Sequence, residues 1–306
     1  MALTIRQLRY FVATAEIGQV SQAAIHLNIS QSAVTTAIRD LEDLLGVELF
    51  LRSTQGVSLT DRGRHFLNHA YQVLRSVDEA LNLPHTDDDA EGKVRLAASY
   101  TVQGYFLPYH LQRLSQWYPN IAMELFEYER VNIEARLADD SIDMAVVLTD
   151  NLTHPDIKSE RLFVSERRLW MPSNHPFSRK TDLVLEDIVK EPFIMLTVDE
   201  ADQSAMRYWK RKQLEPNIIL RTSSVESVRS MVANGLGVAI LSDLVYRPWS
   251  LEGRRIETRL LDDAVFPMSV GLAWRRDKVF TPAMIAIRDY FKQGFLMPQQ
   301  NLSKRS

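Results

Sequence analysis

The feature that most constrains the fold is a run of short helical patterns in the first 45 residues. The apolar residues of the first pattern recur at helical spacing and predict one buried helix face: they are Leu8, Phe11, Val12 and Ala15. Gly18 is predicted to end that helix, and Asn28 favours a tight turn because asparagine tolerates positive φ. Ser21 is predicted to cap a second helix over 22–27, and Ser30 a third. The segment therefore predicts three short helices joined by turns.

The third helix is predicted to have two different faces. Its inward positions are apolar: Val34, Ile38, Leu41 and Leu45. Its outward positions are short, polar and free of acids before Asp40: Gln31, Ser32, Thr35, Thr36 and Arg39. Such side chains suit base edges, because glutamine pairs with adenine, threonine methyls contact thymine methyls, and arginine binds guanine or phosphate. On the residues alone, the same pattern also fits a structural three-helix module whose polar face is solvated.

A small hairpin is predicted next, with strands 49–52 and 57–59 flanking the turn Ser53–Gly56. It resembles a wing, with Arg52 at its base near a DNA backbone. Four arginines are predicted to surround the polar face: Arg6, Arg52, Arg62 and Arg64. Up to residue 83 there are seven arginines, no lysine and eight acids, which gives −1, and the whole chain carries −3. DNA binding must therefore rest on where the charges lie.

Seven motifs in this region keep the order and spacing of a known family. They are Leu3–Ala13, Ser21–Ala24, Ser30–Val34, Leu41–Glu42, Leu45–Val47, Leu49–Phe50 and Leu59–Thr60. Together they resemble the DNA-binding domain of LysR-type transcriptional regulators over residues 3 to 66. The resemblance implies a winged helix-turn-helix that binds a double-stranded DNA operator, with Ser21, Ser30 and the polar face of the third helix at the contact. Val20 replaces a usual aromatic residue and Thr36 a frequent arginine, which puts the operator sequence in doubt.

Residues 61 to 83 are predicted to form one long helix, capped by Thr60. Apolar residues step along it by three and four in a heptad seam: Leu67, Ala70, Leu74, Val77 and Leu81. The stripe fits either packing on the chain's own domain or a dimer helix, and the resemblance favours a homodimer or homotetramer. His65 and His69 are one helical turn apart, but no third ligand at suitable spacing accompanies them, so no metal site is predicted.

The segment 84–92 (PHTDDDAEG) is a linker by composition, and alternating strand and helix patterns follow it. The expected fold class is therefore α/β with an N-terminal mainly-α winged helix-turn-helix. The predicted domains are 1–60, a linker helix and hinge at 61–92, and 93–297. The last part resembles the LysR effector-binding domain, which is similar to a two-lobed periplasmic binding protein. That resemblance places lobe one at 93–161 and 268–295 and lobe two at 162–267; Ser242 replaces a common proline.

A ligand crevice is expected at the carboxyl ends of the parallel strands. Small polar and aromatic residues fall there: Ser99, Tyr100, Thr101, Tyr128, Thr149, Thr197 and Ser223. Ser223 and Glu226 fit a capping box. Because hydroxyls at helix starts favour anions, a carboxylate or aromatic acid is the expected effector. Each hydroxyl is equally explained as an ordinary helix cap.

The sequence bears on three candidate functions. A ligand-responsive DNA-binding regulator fits all segments. An enzyme is disfavoured, because no catalytic triad spacing, P-loop, metal cluster or strand-following GxGxxG occurs, and the absence of cysteine excludes thiol chemistry. A transport-type solute-binding protein fits the second part but leaves the first unexplained. We expect a cytoplasmic protein without cofactor, because neither a signal peptide nor an eighteen-residue apolar run occurs. RNA polymerase is a further candidate partner.

Overall fold

The structure is a computed structural model, and it describes residues 3–53, 56–81, 90–263 and 265–296. The described residues divide into two compact units, the first covering 3–81 and the second 90–296. The tip of the predicted wing and most of the predicted linker, including Pro84, lie outside the described residues.

The first unit contains four helices and one hairpin. These are α1 (Ile5–Ile17), α2 (Val20–Leu27), α3 (Gln31–Leu45), β1 (Phe50–Ser53), β2 (Gly56–Leu59) and α4 (Asp61–Leu81). Gly18 and Asn28 end the first two helices at φ values of 72° and 60°, as their residue types predict. The Ser30 side chain accepts from the Ala33 N–H, which confirms the predicted cap of α3.

Two predictions about the first three helices are wrong. Ser21 does not cap α2, because that helix begins one residue earlier at Val20 and Gln19 precedes it without a side-chain cap bond. Leu45 does not join the inward face of α3, because its side chain is 38% exposed near the end of the helix. Val34, Ile38 and Leu41 are buried as expected.

Close backbone packing fixes the hairpin against the end of α1. The Val57 N–H donates to the Gly18 carbonyl at 2.8 Å. A Cβ on Gly56 would lie 2.3 Å from that same carbonyl oxygen, and the Gly56 φ of 133° favours glycine. Phe11 joins the elements, because its ring lies 5.2 Å from that of Phe50 and 5.0 Å from that of Phe66.

The helix α4 packs on its own unit over its first turns. Thr60 caps it by accepting from the Gly63 N–H at 2.9 Å, as predicted. Leu67 and Ala70 are 6% and 1% exposed, so these two positions of the predicted dimer seam pack against the chain's own domain instead. The Tyr71 hydroxyl also donates to Glu16 of α1 at 2.7 Å.

The second unit has two lobes. The first contains β3 (Gly92–Ala98), α5 (Tyr100–Tyr105), α6 (Leu107–Trp117), β4 (Ile121–Glu127), α7 (Arg130–Ala138), β5 (Met144–Leu148) and β6 (Ile157–Ser165). The second contains β7 (Arg167–Pro172), α8 (Leu185–Ile188), β8 (Pro192–Leu196), α9 (Ala201–Arg211), β9 (Asn217–Thr222), α10 (Val225–Ala233), β10 (Ala239–Ser242) and β11 (Ile256–Arg259). The chain then returns to the first lobe as β12 (Met268–Arg275) and α11 (Pro282–Leu296).

The first lobe has a five-stranded sheet in the order β4-β3-β5-β12-β6. The strands β4, β3 and β5 are parallel, whereas β12 runs antiparallel to β5 and β6. The sheet is therefore more mixed than the alternating pattern predicted. In the second lobe, β7 lies between β10 and β11, β8 pairs with β9, and a bridge from Phe193 to Val238 joins the two sets.

The lobe boundary differs from the expected one at its first crossing. β6 remains paired with β12 up to Ser165 opposite Met268, so residues 162–165 belong to lobe one. Two helices follow β3, because α5 begins at Tyr100 and the chain turns at Phe106 before α6. Starting α5 directly after β3 places its first residues at the edge of the sheet where the lobes meet.

Candidate nucleic-acid interface and ligand cavity

The outward face of α3 is accessible in the structure. Gln31, Ser32, Thr36 and Arg39 are exposed, and Thr35 is half-buried. The Ser30 and Ser32 hydroxyls lie 3.0 Å apart, and the Thr35 hydroxyl donates to the Gln31 carbonyl at 3.0 Å.

Three side chains of this face are unengaged. Within the described part of the chain, the side chains of Gln31, Thr36 and Arg39 make no hydrogen bond or ion pair. The face can therefore offer an amide, a methyl-bearing hydroxyl and a guanidinium to an external partner.

The surrounding arginines differ in availability. Arg6 and Arg62 are exposed. Arg52 is 61% exposed and lies 4.0 Å from Glu42, while Arg64 pairs with Asp61 and donates to the Leu59 carbonyl at 3.1 Å. Glu42 itself accepts from the N–H groups of Leu49 and Phe50 at 2.8 and 3.1 Å. Glu42 thus fixes the start of the hairpin. Because Glu42 lies near the end of α3, the polar face at the beginning of that helix carries no carboxylate.

The later turns of α4 retain part of the predicted seam. Val73 is 41% exposed, and Leu74 and Val77 are half-buried in this single chain. The side chain of Leu81 lies outside the described residues. His65 and His69 are exposed, and no group of three potential metal ligands occurs among the residues that the structure describes.

A cavity of about 690 Å³ opens between the two lobes of the second unit. Five residues predicted to contact the effector line it: Ser99, Tyr100, Tyr128, Thr197 and Ser223. Thr101 instead lines a neighbouring cavity of about 40 Å³. Thr149 lines neither of these cavities and donates to the Ser269 carbonyl at 3.4 Å. The hydroxyls predicted at the strand ends thus converge in part.

The start of α5 is occupied by a carboxylate from the opposite lobe. Asp199 accepts from the N–H groups of Tyr100 and Thr101 at 3.2 and 2.7 Å, and from the Thr101 hydroxyl. Helix starts favour anions, and here the chain supplies its own. Of the helix starts at which an effector carboxylate is expected, the start of α5 is therefore filled by the chain's own carboxylate in this structure.

Two further contacts join the lobes. The Arg130 Nε donates to Glu200 at 2.8 and 3.0 Å, and its Nη1 donates to Glu134 at 2.7 Å. The Tyr105 hydroxyl donates to Glu226 at 2.8 Å, and burial together with this bond raises the pKa of Tyr105 to about 12. The predicted capping box is wrong, because Ser224 caps α10 and the Glu226 carboxylate binds Tyr105 and Arg229.

The acids of the cavity are not among the residues predicted from the sequence. Asp199 and Glu200 lie shortly after β8, separated from it by Thr197 and Val198, and both adopt left-handed backbone conformations, with φ values of 52° and 60°. Non-glycine residues in this region usually persist because their surroundings hold them there. The pair is visible in the sequence as two acids shortly after a buried strand, a position where polar side chains reach the carboxyl edge of the sheet.

Comparison with known proteins covers both units. The LysR substrate binding domain matches residues 87–296, and the bacterial regulatory helix-turn-helix protein, lysR family, matches residues 5–64. The RuBisCO operon transcriptional regulator of Allochromatium vinosum is 29% identical over 95% of this chain and 96% of its own length. The HTH-type transcriptional regulator YybE of Bacillus subtilis is 27% identical over 94% of this chain and 98% of its own length.

Solved structures show the same similarity. HinK, a LysR family transcriptional regulator from Pseudomonas aeruginosa, is 27% identical, with a TM-score of 0.62 over 95% of this chain and 98% of that one. Full-length BenM has a TM-score of 0.57 over 95% of this chain and 96% of its own, at 22% identity, and is similar in fold alone. None of the helices in the described part of the chain is long and apolar enough to cross a membrane.

Proposed function

This chain belongs to the LysR family of bacterial transcriptional regulators, as its motifs indicate, and from that membership we propose that α3 contacts a specific DNA operator and that a small molecule bound between the lobes controls this contact. The observation that carries the DNA-binding proposal is the unengaged face of α3, with Gln31, Thr36 and Arg39 exposed. The beginning of such a helix is the part that enters the major groove in helix-turn-helix proteins.

The surrounding contacts complete the proposed interface. Ser30, Ser32 and Thr35 lie along the same stretch of α3, and Arg52 is exposed on β1. We assign phosphate contacts to Arg52 and base-edge contacts to Gln31 and Arg39, since arginine serves both roles and glutamine suits adenine. We also propose that Ser21, which is exposed on α2, contacts the DNA backbone.

The proposed oligomer is a homodimer or a homotetramer that uses α4. Val73, Leu74 and Val77 provide its apolar stripe, since the earlier positions Leu67 and Ala70 are already buried. Two copies supply two recognition helices, as paired half-sites require. RNA polymerase is a further proposed partner at promoters, and the cytoplasm is where such a complex acts. We propose a regulator rather than an enzyme.

The proposed control resides in the cavity between the lobes. The contacts of Asp199, Glu200 and Glu226 with the opposite lobe hold one arrangement. A ligand that prefers another arrangement shifts the population, and that shift is coupled to DNA affinity. A carboxylate or aromatic acid, the effector expected from the sequence, would have to displace Asp199 from the start of α5 or bind elsewhere in the cavity.

A paired substitution tests the DNA-binding proposal. Arg39→Ala is expected to weaken binding to the protein's own promoter region about tenfold or more, since a good bidentate base contact contributes about 1–3 kcal/mol. Arg254→Ala removes the same charge from an exposed site in the second unit and is the control. Fluorescence anisotropy measures both affinities. Equal affinities for Arg39→Ala and the wild type would refute the assignment of α3.

A further inference from the structure

We propose that the effector is a cation, a protonated amine or a guanidinium compound, whose charged group binds among the carboxylates of the cavity between the lobes and whose hydrogen-bonding group reaches Ser99. This inference rests on the proposed function, because it takes that cavity to be the effector site. It assigns the chemical class of the ligand.

The cavity wall carries a large excess of negative charge. Five carboxylates line it, on Glu127, Glu129, Asp199, Glu200 and Asp202, against one arginine, Arg130, which leaves a net −4. Clefts lined by charges of one sign concentrate ions of the opposite sign. A cationic ligand is therefore attracted to this wall, and an anionic ligand is repelled.

The arginine of the wall does not offset this excess. Its Nε binds both oxygens of Glu200, and its Nη1 binds the buried Glu134 at 2.7 Å. Burial opposes the ionised form of Glu134, but backbone N–H groups and Arg130 outweigh it and lower the pKa of this carboxyl. Arg130 is thus shared between two carboxylates.

Three carboxylates of the wall have no cation within the described part of the chain. Asp202 lies 3.7 Å from Arg221, but Glu127 and Glu129 make no ion pair, and Asp199 is held by N–H and hydroxyl donors alone. Glu127 and Glu129 are exposed, whereas Asp199 is half-buried. Glu127 ends β4 and Glu129 precedes α7 in the first lobe, and Asp199 lies after β8 in the second. Both lobes therefore contribute charge to the same opening.

A second, independent observation points to a ligand. Ser99 is only 4% exposed and belongs to the residues that line the cavity, and its hydroxyl oxygen has no hydrogen-bond partner among the residues that the structure describes. Leaving a buried hydroxyl unpaired costs about 1–3 kcal/mol, and buried polar groups in native proteins are nearly always paired with protein, water or a bound group. The Ser99 hydroxyl can donate to or accept from a polar group of the bound molecule.

The cavity disfavours an anion at both nearby helix starts. Asp199 occupies the first N–H groups of α5, whereas the start of α7 has no side-chain cap but lies beside the carboxylates of Glu127 and Glu129, which repel an anion. Lysine and histidine are absent from the residues that line this cavity. The same wall that fits an amine therefore offers a carboxylate no free cation.

Matched ligands of opposite charge test the inference on the purified full-length protein. The cationic probes are phenethylamine, butane-1,4-diamine and agmatine; the anionic probes are phenylacetate and succinate, and 2-phenylethanol is the neutral control. We expect at least one cation to raise the melting temperature and to bind in calorimetry, and no anion to do so. Binding of an anion without a cation, or of no probe, contradicts the inference.

Variants locate the binding. Glu127→Gln combined with Glu129→Gln is expected to weaken binding of the cation about tenfold, and Ser99→Ala to weaken it about threefold to tenfold. The control neutralises two exposed carboxylates outside the cavity, Glu91→Gln with Glu215→Gln, and keeps full affinity. Equal weakening by both double variants would attribute the effect to overall charge and overturn the inference.

Operator binding is measured on the same preparations. If only the effector inference is wrong, the wild-type protein still binds the promoter fragment in the anisotropy measurement. Absence of that signal from the wild-type protein is a failure of the proposed function instead, so the two failures are distinguishable.

Discussion

His110 illustrates how the environment of one residue sets its charge. Its Nδ1 lies 2.9 Å from the Tyr290 hydroxyl, and its ring centre lies 4.3 Å from that of Phe106. Burial, with a smaller contribution from the charge of Arg113, lowers the pKa of His110 from 6.5 to about 3. The imidazole is therefore neutral in the folded protein at any physiological pH.

This pKa predicts a pH-dependent stability. Between pH 6.5 and 3 the unfolded chain binds a proton at His110 that the folded chain does not, so stability falls as the pH falls. From pH 7 to 5 this one group contributes a loss of about 2 kcal/mol. Denaturant unfolding of wild type and His110→Phe at both pH values measures it. The prediction fails if the variant loses as much stability on acidification as the wild type.

Single residues also show what the sequence could and could not predict. Asn28 and Ser30 act as their residue types predict, because a turn and a helix cap depend on neighbouring backbone. Asp199 was not predictable in this way. Its partners Tyr100 and Thr101 lie about a hundred positions earlier in the chain, and only the folded lobes bring them together.

Gly56 fixes the position of the hairpin against α1. Its positive φ and its approach to the Gly18 carbonyl both require glycine, whereas Gly46 has positive φ with open space around its Cα. Gly46→Ala is expected to destabilise the protein by about 1 kcal/mol, since only the backbone conformation opposes it.

The corresponding change in the hairpin has a larger expected effect. Gly56→Ala adds a 2.3 Å clash with the Gly18 carbonyl, so we expect a loss of about 3 kcal/mol or more. Chemical unfolding, followed in the first unit, compares the two variants. Equal losses would show that the hairpin does not dock against α1 as described.

The helix α4 carries the prediction of self-association. Leu74→Asp places a charge in the apolar stripe with Val73 and Val77, and burying an unpaired charge is strongly unfavourable. We expect mainly monomer by light scattering at micromolar concentration. Gln72→Asp adds the same charge at an exposed position of the same helix and keeps the oligomer. An unchanged mass for Leu74→Asp would reject the stripe as the interface.

Elements were predicted more accurately in type than in partnership. The periodicity of α4 is visible in the sequence, but it does not reveal that Leu67 and Ala70 are buried within the chain's own first unit rather than against a second copy. Likewise, β6 extends to Ser165 because β12 pairs with it, and β12 lies more than a hundred residues later. A local sequence pattern predicts which residues are buried, but it does not identify the surface that they pack against.

At the scale of the whole chain, the contacts between the lobes define one arrangement of the second unit. Asp199→Ala removes the acceptor from the N–H groups of Tyr100 and Thr101. We expect amide hydrogen exchange at the start of α5 to accelerate about tenfold, since those groups lose their protection. Asp202→Ala removes a neighbouring acid that makes no hydrogen bond to α5 within the described part of the chain, and it leaves this exchange unchanged. Equal exchange in Asp199→Ala and wild type would contradict the described contact.

The central claim is that the exposed face of α3 recognises duplex DNA although the first unit has no excess of positive charge. Titration of the protein's own promoter fragment and a scrambled duplex, by anisotropy at 50 and 200 mM salt, tests it most directly. We predict preferential binding to the promoter that weakens with salt as phosphate contacts are screened, and Gln31→Ala reduces the preference. Equal binding to both duplexes, or none to either, would contradict the account.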